Sequence, residues 1–324
     1  VGVQHLHVNG KKTKIEDDGT FAAKLKLGLG KNLITIVAED FDSNVSKREI
    51  VIARREFILA DDFVEVDIPP KTRMNNPNAV AVVIGVESYQ YVPDATYAYN
   101  DAEVFREYLA ETLGLKRQRI KLVTNDKATR AEFEKLLGPN GWAARNIVEG
   151  KSDVIVYYSG HGVTSFETNV SGLLPYDVDP NYSTGIQTDQ LLQNLAKMGA
   201  RSVTVVLDTC FSGQTRNSEM LIAGSRPIVV KPLKANIPEN ITVLSAVSGS
   251  QTSGAFKSKE HGLFTYYLLA GLAGKADADH DDIITLGELA NFLVGKVRDH
   301  AALHGREQEP EIRGRADEAL LKLK

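Results

Sequence analysis

The sequence has a single cysteine, Cys210, which excludes both a disulfide framework and any metal site built on several thiolates. Long hydrophobic stretches are also missing. The longest apolar run, residues 79–86, falls far short of the roughly 20 residues that cross a bilayer. Positive charge is not in excess: 38 Lys and Arg stand against 42 Asp and Glu, a formal net charge of −4. A nucleic-acid binder of the usual basic kind is thereby excluded, and no membrane-surface patch is expected. No charged segment followed by an apolar one opens the chain, so no signal peptide is visible. The first residue is Val1 and not Met, so the expectation is a piece of a longer protein, with cytoplasmic and exported locations both open. What is present is globular: 324 residues, 43% hydrophobic and 25% charged, sufficient for about two domains of roughly 150 residues.

Residues 1–54 carry short runs of near period-two alternation at 3–8, 11–15, 20–27, 32–39 and 47–52. Turn residues separate them: Asn9-Gly10, Asp17-Asp18-Gly19, residues 28–31 and Asp42-Ser43-Asn44. This predicts a small all-β module. Residues 55–78, with Pro69, Pro70 and Pro77, read as a linker holding one strand at 63–68. From residue 79 the period changes. Apolar strands at 79–86, 120–123, 153–158, 202–207 and 241–246 alternate with helical spacing at 100–114, 188–198 and 262–272, and Thr129-Arg130-Ala131-Glu132 is a capping box that opens another helix. The alternation predicts an α/β domain over residues 79–324 with a mainly parallel sheet and no internal repeat.

Function in such sheets collects at the carboxyl ends of the strands. Two ends stand out. One reads Tyr157-Tyr158-Ser159-Gly160-His161-Gly162, the other Leu207-Asp208-Thr209-Cys210-Phe211-Ser212-Gly213. A glycine-flanked histidine and the only thiol thus fall at one edge of the sheet. Taken singly, a lone cysteine is usually a buried apolar residue and a lone histidine structural; their joint placement favours chemistry. An imidazole beside a thiol raises the thiolate fraction or takes the proton during attack. Cys210 is therefore the candidate nucleophile and His161 the candidate base. The glycines allow close backbone approach, which makes the N–H groups of Gly162 and Cys210 candidate oxyanion donors.

Two further segments carry candidates. Residues 277–288 follow the spacing of a helix–loop–helix calcium loop, with Asp277, Asp279 and Asp281 at positions 1, 3 and 5, Thr285 at 9 and Glu288 at 12. Position 6 is Asp282 where the sharp turn wants glycine, and Thr285-x-x-Glu288 is equally a capping box. Calcium is the one candidate ion. Between Gly213 and Ile241 the chain shows no clear periodicity, and it carries Arg216, Arg226, Lys231 and Lys234, starting close behind Cys210. Loops of that length inside a compact domain are usually functional or mobile.

The paired His and Cys motifs resemble those of the caspase-like cysteine peptidases, and within them the bacterial metacaspase-like (orthocaspase) branch, over about residues 79–315. Ile84-Gly85-Val86, Asn100-Asp101-Ala102, Gly172-Leu173-Leu174-Pro175-Tyr176-Asp177, Ser245-Ala246, Gln251-Thr252-Ser253 and His261-Gly262-Leu263-Phe264-Thr265 fit the same likeness. The roughly 50 residues expected between His and Cys are met by 161 and 210. The resemblance implies a cysteine endopeptidase acting on proteins or peptides, with no cofactor required for the chemistry. It also implies that Asp208, Asp101 and Ser159 line a pocket for a basic P1 side chain, because the matching acids do so in metacaspases. Segments 88–99 and 245–256 contain no Arg or Lys to hold an acidic one. For Asp101 a helix-dipole acid, and for Asp208 a strand-end hydrogen bond, are the plainer alternatives. Caspase-like enzymes are often cut between their fourth and fifth strands, which makes Arg216, Arg226, Lys231 and Lys234 candidate self-processing sites. The N-terminal motifs His7-Val8-Asn9-Gly10, Asp18-Gly19-Thr20-Phe21 and residues 30–40 resemble bacterial immunoglobulin-like modules lacking their first strands. The expectation is a monomer that cleaves after Arg or Lys. The alternatives are a catalytically idle caspase-like scaffold and a calcium-responsive binding protein.

Overall fold

The structure is a computed structural model that describes all residues except 1, 17, 29, 55–62, 166, 167, 169, 212–239, 249, 250 and 252. It divides into two units, Val1–Phe63 and Val64–Lys324.

In the first unit, β1 (Val3–Val8), β2 (Lys11–Lys12), β3 (Gly30–Asp40) and β4 (Val45–Arg54) form an antiparallel sheet in the order β2-β1-β3-β4. Asn9 and Gly10 both take positive φ between β1 and β2, which is the turn chemistry the Asn-Gly pair predicts. The run at residues 20–27 alternates in sequence but forms no strand.

The second unit contains β5 (Val80–Gly85), α1 (Ala98–Glu111), β6 (Ile120–Thr124), α2 (Arg130–Leu137), α3 (Trp142–Asn146) and β7 (Asp153–Ser159). Next come β8 (Gly162–Thr164), β9 (Ser171–Leu173), β10 (Ile186–Gln187), α4 (Thr188–Ala196), β11 (Ser202–Asp208) and β12 (Ile241–Ser245). It ends with β13 (Ala255–Phe256), β14 (His261–Gly262), α5 (Leu263–Ala270), β15 (Ile283–Thr285), α6 (Leu286–Leu303), β16 (Glu311–Arg313) and β17 (Ala319–Lys322). Six strands form the main sheet in the order β16-β12-β11-β7-β5-β6, parallel except for the edge strand β16. This is the expected α/β architecture.

The pleat explains the layering. Ala81, Val83, Tyr157, Val206 and Leu244 face one core with α1, α5 and α6, while Val80, Val82, Ile84, Val156, Val205 and Val243 face another with α2, α3 and α4. Every residue of β5 is buried, as its unbroken apolar run requires of a strand covered on both faces. All eight residues of α5 are buried too, so this helix lies within the core and not on its surface. No helix among the described residues is long and apolar enough to cross a membrane.

Residues 64–78, which the prolines mark as linker, belong to the second unit. Val66 is buried in the α1/α5/α6 core, Thr112 Oγ1 donates to the Pro70 carbonyl at 2.7 Å, and Thr72 Oγ1 donates to the Thr112 carbonyl at 2.6 Å. Proline here gives extended backbone that lies against α1, and residues 63–68 do not pair as a strand.

Candidate active site

Strand register brings the histidine and the cysteine to one place. β7 and β11 are parallel neighbours, and their last paired residues are Ser159 and Asp208. His161 and Cys210 each lie two positions beyond that pair, past the carboxyl ends of strands about 4.8 Å apart. Gly160 N–H still donates to the Asp208 carbonyl at 3.3 Å, which holds the two chain segments together as they leave the sheet.

Both flanking glycines are required by close approach. A Cβ at Gly162 would lie 2.7 Å from Thr209 Oγ1 and 2.8 Å from the Cys210 carbonyl oxygen, so the backbone after His161 rests against the backbone that carries the thiol. A Cβ at Gly160 would lie 2.5 Å from Tyr89 Oη. The Leu174 N–H donates to the His161 carbonyl at 3.0 Å. Alternation along the β8–β9 ladder then makes Gly162 and Leu173 a non-hydrogen-bonded pair, whose N–H groups turn away from the space between those strands.

His161 is 3% exposed and held on two sides. Its Nε2 lies 2.8 Å from the Pro93 carbonyl oxygen. A carbonyl only accepts, so Nε2 carries the proton and Nδ1 is the basic atom of the neutral ring. The His161 N–H donates to Tyr89 Oη at 2.7 Å, Tyr89 Oη and Tyr158 Oη are 3.2 Å apart, and Tyr158 Oη donates to the His161 carbonyl at 2.6 Å. The Tyr89 ring packs on the imidazole with centroids 4.8 Å apart. Cys210 is 4% exposed, and its Sγ accepts the Ser253 N–H at 3.0 Å. The thiol in turn reaches the Ser253 carbonyl at 3.8 Å, so one residue meets the sulfur with both a donor and an acceptor.

Asp101 and Asp208 are both fully buried, and both face the first turn of α5. Asp101 lies in the first turn of α1 on the buried face that it shares with Ala102, Phe105 and Tyr108. It accepts from Ser159 Oγ at 2.9 Å, from Gly262 N–H at 3.0 Å and from His261 Nδ1 at 2.9 Å. Asp208 accepts from Ser253 Oγ at 2.7 Å, from Thr265 Oγ1 at 2.7 Å and from Thr265 N–H at 3.2 Å. The two carboxylates therefore satisfy orphan N–H groups at the positive end of one helix. Burial opposes a charge on His261. The hydrogen bonds and charges of Asp101, and of Asp67 whose Oδ1 lies 2.9 Å from His261 Nε2, outweigh it and raise the imidazole above its ordinary range.

Of the residues singled out in the sequence, the structure thus brings together Cys210, His161, Gly162, Ser159, Asp101 and Asp208. The four basic residues Arg216, Arg226, Lys231 and Lys234 lie outside the described residues. Asp277, Asp279 and Asp281 lie between α5 and α6 and Glu288 in the first turn of α6, and among the described residues none of their hydrogen bonds reaches the thiol edge. Sequence reasoning missed Tyr89, Pro93, Asp67 and the half-buried Arg306, and it named Ser253, His261 and Thr265 only within motifs of the resemblance, without a role. The Arg306 guanidinium fills the space where Gly254 would carry a side chain. A cleft of about 580 Å³ lies among α2, α3 and α4 and contains none of the candidate residues.

Comparison with known proteins agrees with the architecture. The profile of the caspase domain, peptidase family C14, matches residues 78–320. That of glucodextranase domain B matches residues 2–55. No curated protein sequence matches the chain.

Proposed function

Because the chain belongs to the caspase-domain family of cysteine peptidases, we propose that it is a working endopeptidase with Cys210 as nucleophile and His161 as base, cutting after Arg or Lys. The observation that supports this reading is the register of β7 and β11, from whose last residue pair His161 and Cys210 stand at equal offsets along the chain.

His161 Nδ1 takes the thiol proton, and the thiolate attacks the scissile carbonyl carbon. The oxygen that becomes negative is received by the N–H groups of Gly162 and Cys210. His161 then returns the proton to the departing amine, leaving a thioester on Cys210. Water, deprotonated by His161, adds to the thioester and releases the acid and the thiol. Every proton is accounted for by side chain, backbone and water. The Pro93 carbonyl and the Tyr89 and Tyr158 hydroxyls are positioning groups that hold the imidazole, and the Ser253 N–H holds the sulfur.

Specificity for a basic P1 residue rests on Asp208 and Asp101 with Ser159 between them. A carboxylate has about four acceptor sites, so acids that cap α5 retain capacity for a guanidinium or ammonium. The same preference makes Arg216, Arg226, Lys231 and Lys234 cleavage sites within the enzyme's own chain, with the two fragments held by the shared sheet. The β module of the first unit, immunoglobulin-like in its sequence motifs, serves as a spacer or binding module.

Peptides ending in Arg, Lys or Asp before a chromogenic leaving group test the reading. Turnover of the Arg and Lys substrates is expected, falling by about four orders of magnitude in Cys210→Ala and in His161→Ala. No turnover of any substrate would leave the idle scaffold standing. Turnover of the Asp substrate alone would move recognition to Arg306, which has no acidic partner among the described residues. Mass spectrometry of aged protein should show nicks after residues 216–234 in the wild type and an intact chain in Cys210→Ala. Equal nicking in both would remove self-processing.

A further inference from the structure

Away from the thiol, Asp277, Asp279 and Asp281 gather in the turn that precedes β15, with one carboxylate oxygen from each within 4.8 Å of the others. Three anions so close repel one another unless a cation joins them. Among the described residues none of the three forms an ion pair; the nearby Lys324 ammonium pairs with Asp282 at 2.9 Å.

A second observation is independent of the clustering. Asp277 is 9% exposed, and its Oδ2 accepts the Asp282 N–H at 3.2 Å. Its Oδ1 is buried with no hydrogen-bond partner among the described residues. Native proteins rarely leave a buried carboxylate oxygen without a donor, and a bound ion is one of the partners that such an oxygen takes.

The backbone has the shape such a ligand needs. Asp282, in the place that glycine usually fills, takes φ 65, so the sharp left-handed turn is made without glycine. The seventh residue, Ile283, begins β15, which pairs with β17 through Ile283↔Lys322 and Ile284↔Leu321 and fixes the far side of the loop. The twelfth, Glu288, is engaged elsewhere: it accepts from Ala278 N–H at 3.0 Å, Thr285 N–H at 2.9 Å and Thr285 Oγ1 at 2.8 Å.

We propose that Asp277, Asp279 and Asp281 form a calcium site, with Asp277 Oδ1 as its buried ligand. Donors that are all oxygen select a hard cation. Calcium accepts the many, irregularly placed oxygens of a loop, whereas magnesium demands near-octahedral geometry and keeps its waters. The site stands whether or not the peptidase reading does.

Calorimetric titration of the full chain with calcium chloride, after chelation, tests it directly. One equivalent should bind, and calcium at about a hundredfold excess over Kd should raise Tm by several degrees. The double variant Asp279→Asn/Asp281→Asn should lose at least tenfold in affinity while keeping the wild-type Tm in chelator. Because these two side chains are exposed, the variant is expected to fold. No heat and no Tm shift at millimolar calcium would overturn the proposal. So would unchanged affinity in the double variant, which would place the ion elsewhere. An equal shift with magnesium would overturn the choice of calcium.

Discussion

Two groups of carboxylates in the caspase domain show opposite solutions to the same electrostatic problem. Asp101 and Asp208 are fully buried, and each is met by at least three protein donors. Asp279 and Asp281 are exposed beside a buried Asp277 oxygen that meets no donor among the described residues. Charge-assisted hydrogen bonds contribute about 1.5–3 kcal/mol each, so the first group is held in place before any ligand arrives. On the proposal made above, the second is completed by a cation.

The largest break in this contrast comes from Asp208→Asn. The amide keeps one acceptor oxygen, enough for Ser253 or for Thr265 but not for both, and removes the charge. If Asp208 serves only to cap α5, Tm falls and the ratio of kcat/KM for P1 Arg over P1 Gln stays as it was. If Asp208 also receives the P1 cation, that ratio should fall by about a hundredfold, the equivalent of roughly 3 kcal/mol. Steady-state kinetics on the two peptides, beside thermal unfolding, separates the outcomes.

Two buried histidines sharpen the contrast through pH. His261 has a carboxylate on each ring nitrogen, whereas His300 Nδ1 lies 3.0 Å from the Tyr267 hydroxyl. Burial, with His304 and Arg306 nearby, pushes His300 down to about 4. His261 is shifted the other way. A raised value in the folded state means that His261 contributes stability fully below pH ~6.5, lost as pH rises through its folded value. A depressed value means that the His300 contribution is present above pH ~6.5 and lost as pH falls toward about 4. Each proton changes stability by at most about 1.4 kcal/mol per pH unit. Thermal unfolding from pH 4 to 9 should therefore show His261→Gln approaching the wild type on the alkaline side, and His300→Gln approaching it on the acid side. A parallel offset across the whole range in either variant would contradict its assignment.

How far the sequence foretold all this follows the range of the contacts. The β5 run and the endings of β7 and β11 were legible because period and glycine placement are local. The joint position of His161 and Cys210 followed from strand ends alone. Pro93 and Asp67 were not legible, since they reach their partners across 68 and 194 residues of chain. Their roles use backbone atoms or one carboxylate in an irregular segment, and these leave no periodic trace. Alternation misled at residues 20–27, where no partner strand received the pattern, and the prolines of residues 69–77 marked extended chain, not a free linker. Asp101 and Asp208 were visible as acids, but their place at the first turn of α5 depends on how three separate segments converge.

The smallest effect tests where the open set ends. Thr285 and Glu288 form a complete capping box on α6: the Glu288 N–H donates to Thr285 Oγ1 at 3.2 Å, and the Glu288 carboxylate receives the Thr285 N–H and hydroxyl. These hydrogen bonds hold the Glu288 carboxyl below its usual range, and they place it with the satisfied acids although it occupies the twelfth loop position. Thr285→Ala should therefore cost about 1 kcal/mol in urea unfolding carried out in chelator, the ordinary loss of an N-cap. Calcium affinity should change by less than about threefold, because Thr285 supplies none of the three proposed ligands and its removal frees one oxygen of Glu288 from a competing donor. A tenfold loss of calcium binding with no loss of stability would reverse the division, making Thr285 and Glu288 ligands first and a cap second.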